Sequence, residues 1–186
     1  MQDGARMTSL TNDILVGAAA GVIATIPMTL AMEELHRVLP REHDGPLPPR
    51  EVTEGLYEHF SDAEEADEDE LQRLTFLLHY SFGGAAGALF PVIAPRRVPA
   101  AVAAGVLYGL AVWTGSYLGM LPALGVRHHA KHDPSGRTTM MIAAHVIWGA
   151  TLGLVLRARP GLHAASRHPD RRALAGARKR VPLARA

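Results

Sequence analysis

His79-Tyr80-Ser81-Phe82-Gly83-Gly84-Ala85-Ala86-Gly87 and His145-Val146-Ile147-Trp148-Gly149-Ala150-Thr151-Leu152-Gly153 share one pattern, H-x-x-aromatic-G-x-x-x-G. Each copy lies inside a long apolar run. Such a run predicts a membrane-spanning helix. Glycines four residues apart lay a smooth ridge along that helix, where another backbone can approach closely. The histidine leaves one ionisable group near one end. Reading these two stretches decides the solvent of the chain, and with it the fold.

The distribution of charge supports the same solvent. Of 18 acidic residues, 14 lie between Glu33 and Glu70; of 19 basic residues, 9 follow Leu156. Four segments between and beside these blocks are almost free of charge. A soluble domain interleaves charge along amphipathic elements, whereas a bilayer separates it into loops and tails. The net charge of +1 is a cancellation between opposite blocks and gives no reason to expect nucleic acid. With no cysteine, disulfides, thiolate zinc sites and cysteine nucleophiles are excluded.

Residues 1–13 form a short polar N-terminal tail. Its single basic residue, Arg6, and the length of the following apolar run argue for an uncleaved membrane helix rather than a signal peptide. Residues 14–32 carry no charge, and at about 1.5 Å per residue they span roughly 28 Å, close to a hydrocarbon core. Gly17 and Gly21 form a ridge there, and Pro27 is expected to kink the helix, which lipid-buried helices tolerate when neighbours or Thr side chains take up the freed carbonyl.

Gly45-Pro46-Leu47-Pro48-Pro49 is a stiff turn. Arg50 to Phe60 reads as a short helix with Val52, Leu56, Tyr57 and Phe60 on one side, suited either to the membrane interface or to packing over the helix ends. Ser61-Asp62-Ala63-Glu64 has the form of a capping box. The acids from Glu64 to Glu70 suit a helix start and a solvated face. They lack the glycine and ligand spacing of a calcium loop.

The second span is 74–93, closed by Pro91, Pro95 and the Arg96-Arg97 turn. The third is 99–124, with ridges at Gly105/Gly109 and Gly115/Gly119. The fourth is 138–156. Between them, 125–137 carries His128, His129 and His132, read as solvated. Residues 157–186 form a basic tail expected to be disordered or to lie on anionic lipid. The predicted fold is therefore all-α: a four-helix transmembrane bundle of two hairpins, a parallel repeat, with a short interfacial helix in the first outer loop.

Four spans put both termini on one side, with twelve basic residues against seven on the other. The positive-inside rule makes that side cytoplasmic. His79 and His145 then lie at similar depth in the outer half. Glu33, Glu34 and His36 end the first span on the same side. An ionisable group within a span is a functional-site hypothesis by default.

Two readings follow. One is a non-enzymatic structural or accessory membrane protein, whose glycine ridges (Gly17, Gly21, Gly83, Gly87, Gly105, Gly109, Gly149 and Gly153) pack the bundle or a homo-oligomer. The other is a small proton- or metal-responsive transporter or sensor built on His79, His145, Glu33, Glu34 and His36, since imidazoles bind zinc and titrate near neutrality. The bare histidine reading is a hydrogen bond to a neighbouring helix. Glu-x-x-His at Glu33/His36 has the form used twice in di-iron bundles, but occurs once here. No nucleophile elbow, phosphate loop, dinucleotide fingerprint or metalloprotease helix is present, so no catalytic residue and no cofactor is expected.

Three further stretches carry a resemblance: Leu47-Pro48-Pro49-Arg50-Glu51 with Thr53-Glu54, Tyr108-Gly109-Leu110-Ala111-Val112-Trp113, and Ala144-His145-Val146-Ile147-Trp148-Gly149. Over roughly Gly17 to Leu156 the chain resembles the YagU-like group of uncharacterised bacterial inner-membrane proteins. The resemblance implies a multi-pass protein of the bacterial inner (plasma) membrane. It brings no reaction, substrate or catalytic residue.

Overall fold

The computed structural model describes residues 2–39, 45–61, 67–93, 101–125 and 135–158, with side chains from residue 7 onward. These form five helices: α1 Gln2–Arg37, α2 Pro48–Phe60, α3 Glu68–Ile93, α4 Ala101–Ala123 and α5 Ser135–Arg157. No strand occurs among the described residues. Asp62, Ala63 and Glu64 of the capping box, the Arg96-Arg97 turn, His128, His129, His132 and the basic tail beyond residue 158 lie outside them.

Four of the helices, all but α2, are long and apolar enough to cross a membrane. Their outward faces are apolar too. Leu89, Leu107 and Leu154 are 58%, 69% and 54% exposed, and Ile23, Ile26, Leu30 and Phe76 are likewise uncovered. A water-soluble fold of this size would turn these side chains into a core, because soluble monomers rarely expose contiguous apolar surface on this scale. Here hydrocarbon on the outside removes the penalty.

α1 runs further than the uncharged stretch that predicts it. It begins at Gln2, so the expected polar tail is its first turns. No proline interrupts residues 2–13, and extending a formed helix costs little. Thr11 donates to the Met7 carbonyl one turn back, at 3.0 Å. Further along, Thr25 and Thr29 donate to the carbonyls of Gly21 and Thr25. These are not the Ile23 carbonyl that Pro27 releases, so the expected threonine rescue is not what these hydroxyls do.

α1 packs against α3, and α4 against α5, by the same device. A methyl group at Gly21 would strike the Gly83 carbonyl oxygen, and one at Gly87 the Gly17 carbonyl oxygen. In the second hairpin a methyl at Gly105 would strike the Gly149 carbonyl, and one at Gly153 the Ala101 carbonyl. The two seams superimpose in register: adding 84 to each α1 position and 66 to each α3 position converts one set of contacts into the other. The repeat is thus built into backbone contacts as well as into residue types. Gly115 and Gly119, a third ridge on sequence grounds, face open space.

Between hairpins the symmetry fails. α1 packs closely along α5, whereas α3 and α4 barely touch. The Trp148 indole, 2% exposed, donates to the Gly21 carbonyl at 3.2 Å and joins α5 to α1. Its counterpart in the first copy, Phe82, has no donor to make the equivalent bond and is 41% exposed. α3 and α4 meet where the Tyr108 hydroxyl donates to the Ala86 carbonyl at 2.7 Å and its ring lies 5.0 Å from that of Phe90. From there toward α2 the two helices diverge. The α4 backbone loosens into a π-helical segment, Thr114–Met120, over the same stretch.

Candidate functional site

The divergence of α3 from α4 leaves a cavity of about 210 Å³. α3 contributes Leu78, His79, Phe82 and Ala86, and α4 contributes Val112, Ser116, Tyr117 and Met120. Its back wall is the α1–α5 contact, with Thr25, Met28 and Met32 from α1 and Met141, His145 and Trp148 from α5. α2 closes the end with Pro48, Val52, Thr53 and Leu56. The wall is overwhelmingly apolar. An apolar cavity of about 150 Å³ already holds a benzene ring, so this one has room for an aromatic ring or a short aliphatic segment.

α2 is an amphipathic lid rather than a free interfacial helix. Proline at its first position starts it without losing a needed donor, and Pro48 and Thr53 are its buried residues. Arg137, at the start of α5 and 7% exposed, reaches across to the Pro46 carbonyl at 2.9 Å and the Glu51 carboxylate at 2.8 Å. Arg50 forms a second clasp, to Glu54 and Glu68, both at 2.6 Å. The hydrogen bond that Arg50 donates to Glu54 raises the guanidinium pKa above its ordinary value. Phe60, expected on the packed side, is 72% exposed at the last turn.

His79 and His145 line the same cavity, from α3 and α5. His145 Nδ1 lies 2.8 Å from the Met141 carbonyl. A carbonyl only accepts, so Nδ1 carries the proton and Nε2 has the lone pair. His79 Nε2 lies 3.1 Å from Thr29 Oγ1. The Thr29 hydroxyl already donates to the Thr25 carbonyl at 2.8 Å, so here the imidazole donates, and its lone pair is on Nδ1. In their neutral forms the two rings are therefore held in opposite tautomers.

Glu33, Glu34 and His36 do not line the cavity. They lie beyond Met32 at the end of α1; Glu33 and Glu34 are exposed, and Glu34 pairs with Arg37 at 2.7 Å. Among the described residues no three His, Asp or Glu side chains gather as a metal site. The eight ridge glycines all lie in the two intramolecular seams.

Sequence reasoning missed Thr29, Arg137 and the π-helical segment. Thr29 follows Thr25 by one turn and could have been paired with His79 once the α1–α3 register was known. Arg137 looked like a boundary charge, and nothing in the sequence linked it to Glu51, 86 positions away.

Residues 30–154 match the family described as "Protein of unknown function (DUF1440)". The chain belongs to this family. The DUF1440 match covers α2, α3, α4, most of α5 and the end of α1, hence nearly all of the cavity wall. The family carries no known activity. No curated protein and no solved structure matches the chain.

Proposed function

We propose that this protein is a non-enzymatic accessory protein of the bacterial inner membrane, related to the YagU-like group, which binds a small membrane-dissolved molecule between α3 and α4. The observation that carries this reading is the apolar cavity with two imidazoles in its wall. Ligand sites are typically apolar hollows with a few convergent polar groups. No nucleophile with an adjacent base is found among the cavity residues, which favours binding over catalysis. The excess of basic residues on the side of the termini supports a cytoplasmic location for both. On that topology the cavity and its α2 lid lie in the outer half. The bilayer is the first partner, with anionic lipid at the basic tail. Since the glycine ridges serve the hairpins, a homo-oligomer would use other faces. Nothing in the charge distribution calls for nucleic acid.

Native mass spectrometry of the protein released from nanodiscs tests the reading. The wild type is expected to retain a small-molecule mass that a cavity-filling Val112→Phe variant, equally folded, has lost. Equal retention in both, or none in either, overturns it.

The pairing of His79 with His145 favours one second reading, a proton- or zinc-responsive site without the α1 carboxylates. It predicts a zinc affinity that falls at least about tenfold, or about 1.4 kcal/mol, in His79→Ala and in His145→Ala.

A further inference from the structure

The polar groups around the cavity share one property. Thr25 donates its hydroxyl proton to the Gly21 carbonyl, Thr53 to the Pro49 carbonyl and Ser116 to the Val112 carbonyl, at 2.8 to 2.9 Å. The Trp148 indole proton goes to the Gly21 carbonyl. The hydroxyl oxygen of Tyr117 is sealed from the cavity, so this residue presents its ring. Of the two imidazoles, each N–H is committed to α1 or α5, to Thr29 and to the Met141 carbonyl respectively. What remains is lone pairs: His79 Nδ1 and His145 Nε2 meet no hydrogen-bond donor among the described residues. The accessible polar atoms of this cavity are therefore acceptors, while the protons of Thr25, Thr53, Ser116, Trp148 and both imidazoles go to the protein itself.

We infer that the ligand of this cavity is a neutral hydroxyl-bearing apolar molecule, a phenol or a lipid-soluble alcohol, which donates its hydroxyl proton to His79 Nδ1 or His145 Nε2. This rests on the cavity-binding reading above and assigns its chemical class. Ketones, ethers and esters bring acceptors to acceptors and leave both sides unpaired, which costs heavily away from water. An ammonium head would donate, but among the described residues no carboxylate lines the cavity to offset its charge, and an unpaired charge at this depth is expensive. Among the described residues a metal ion finds two ring nitrogens and no third side-chain ligand. The volume fits a ring, and the sparse α3–α4 contact lets an attached chain continue toward lipid.

4-Bromophenol and 4-bromoanisole test the inference. They share ring and bromine, and only the phenol can donate. Bromine quenches tryptophan, and in a Trp113→Phe background Trp148 in the cavity wall is the sole reporter. Quenching is read in detergent micelles at neutral pH and referred to the mole fraction of each probe in the micelle. 4-Bromophenol is expected to saturate at a mole fraction about tenfold below 4-bromoanisole, the order of one hydrogen bond. His79→Leu with His145→Leu should bring the two probes within about twofold of each other, while 4-bromoanisole still saturates as a sign that the cavity persists. Equal saturation in the wild type overturns the donor inference and leaves the cavity-binding reading standing. Linear, unsaturable quenching by both overturns both.

Discussion

Gly21 and Gly83 meet backbone to backbone: a methyl group on Gly21 would strike the Gly83 carbonyl oxygen, and Gly105 and Gly149 repeat that relationship in the second hairpin. Lipid supplies no hydrophobic force between helices, so close backbone packing has to hold the hairpins together. Gly21→Ala and Gly149→Ala should each lower stability by about 2 to 4 kcal/mol, the scale of overpacking a rigid contact. Gly115→Ala and Gly119→Ala, facing open space, should be neutral or stabilising by up to about 1 kcal/mol. Thermal unfolding in a single detergent compares all four. Equal losses at every position would refute the seam.

The tautomers are accessible to long-range proton–nitrogen correlation NMR. With both rings neutral, His145 is expected as the Nδ1–H form and His79 as the Nε2–H form. Thr29→Val removes the acceptor for His79 and should release its tautomer while His145 stays unchanged. Finding His145 protonated at Nε2 would contradict the acceptor lining.

Arg137 and Glu51 clasp the lid to α5. Arg137→Gln is expected to cost about 1 to 3 kcal/mol, because it removes charged hydrogen bonds at a buried end. Amides of α2 should then exchange with solvent faster than those of α3. A double-mutant cycle with Glu51→Gln should show positive coupling, since the two residues share one interaction. Unchanged exchange in α2 would mean that the lid is held by its apolar face alone.

The bundle was legible because the bilayer writes itself into composition. Four stretches without charge, ridges at four-residue spacing and acids at the start of α3 lead to the helices and to their pairing within hairpins. The same patterns could not disclose that α3 and α4 part. Phe82 and Trp148 are equivalent in the motif, yet only an indole can donate to Gly21, and that bond joins the buried apolar contacts that hold α5 on α1. Glu33 and Glu34 lay within reach of the histidines along the sequence of α1. Both are exposed beyond Met32 at the end of α1 and do not line the cavity. Arg137 could not be assigned, because a pairing across 86 positions depends on the packed fold.

The central claim is that hydrocarbon surrounds the four spans. Spin labels at Leu89, Leu107 and Leu154, three outward side chains on α3, α4 and α5, report it directly in reconstituted bilayers. Each label is expected to be readily relaxed by oxygen, which concentrates in lipid, and poorly by a water-soluble nickel chelate. Labels relaxed by nickel, or immobilised and shielded from both reagents, would contradict the account.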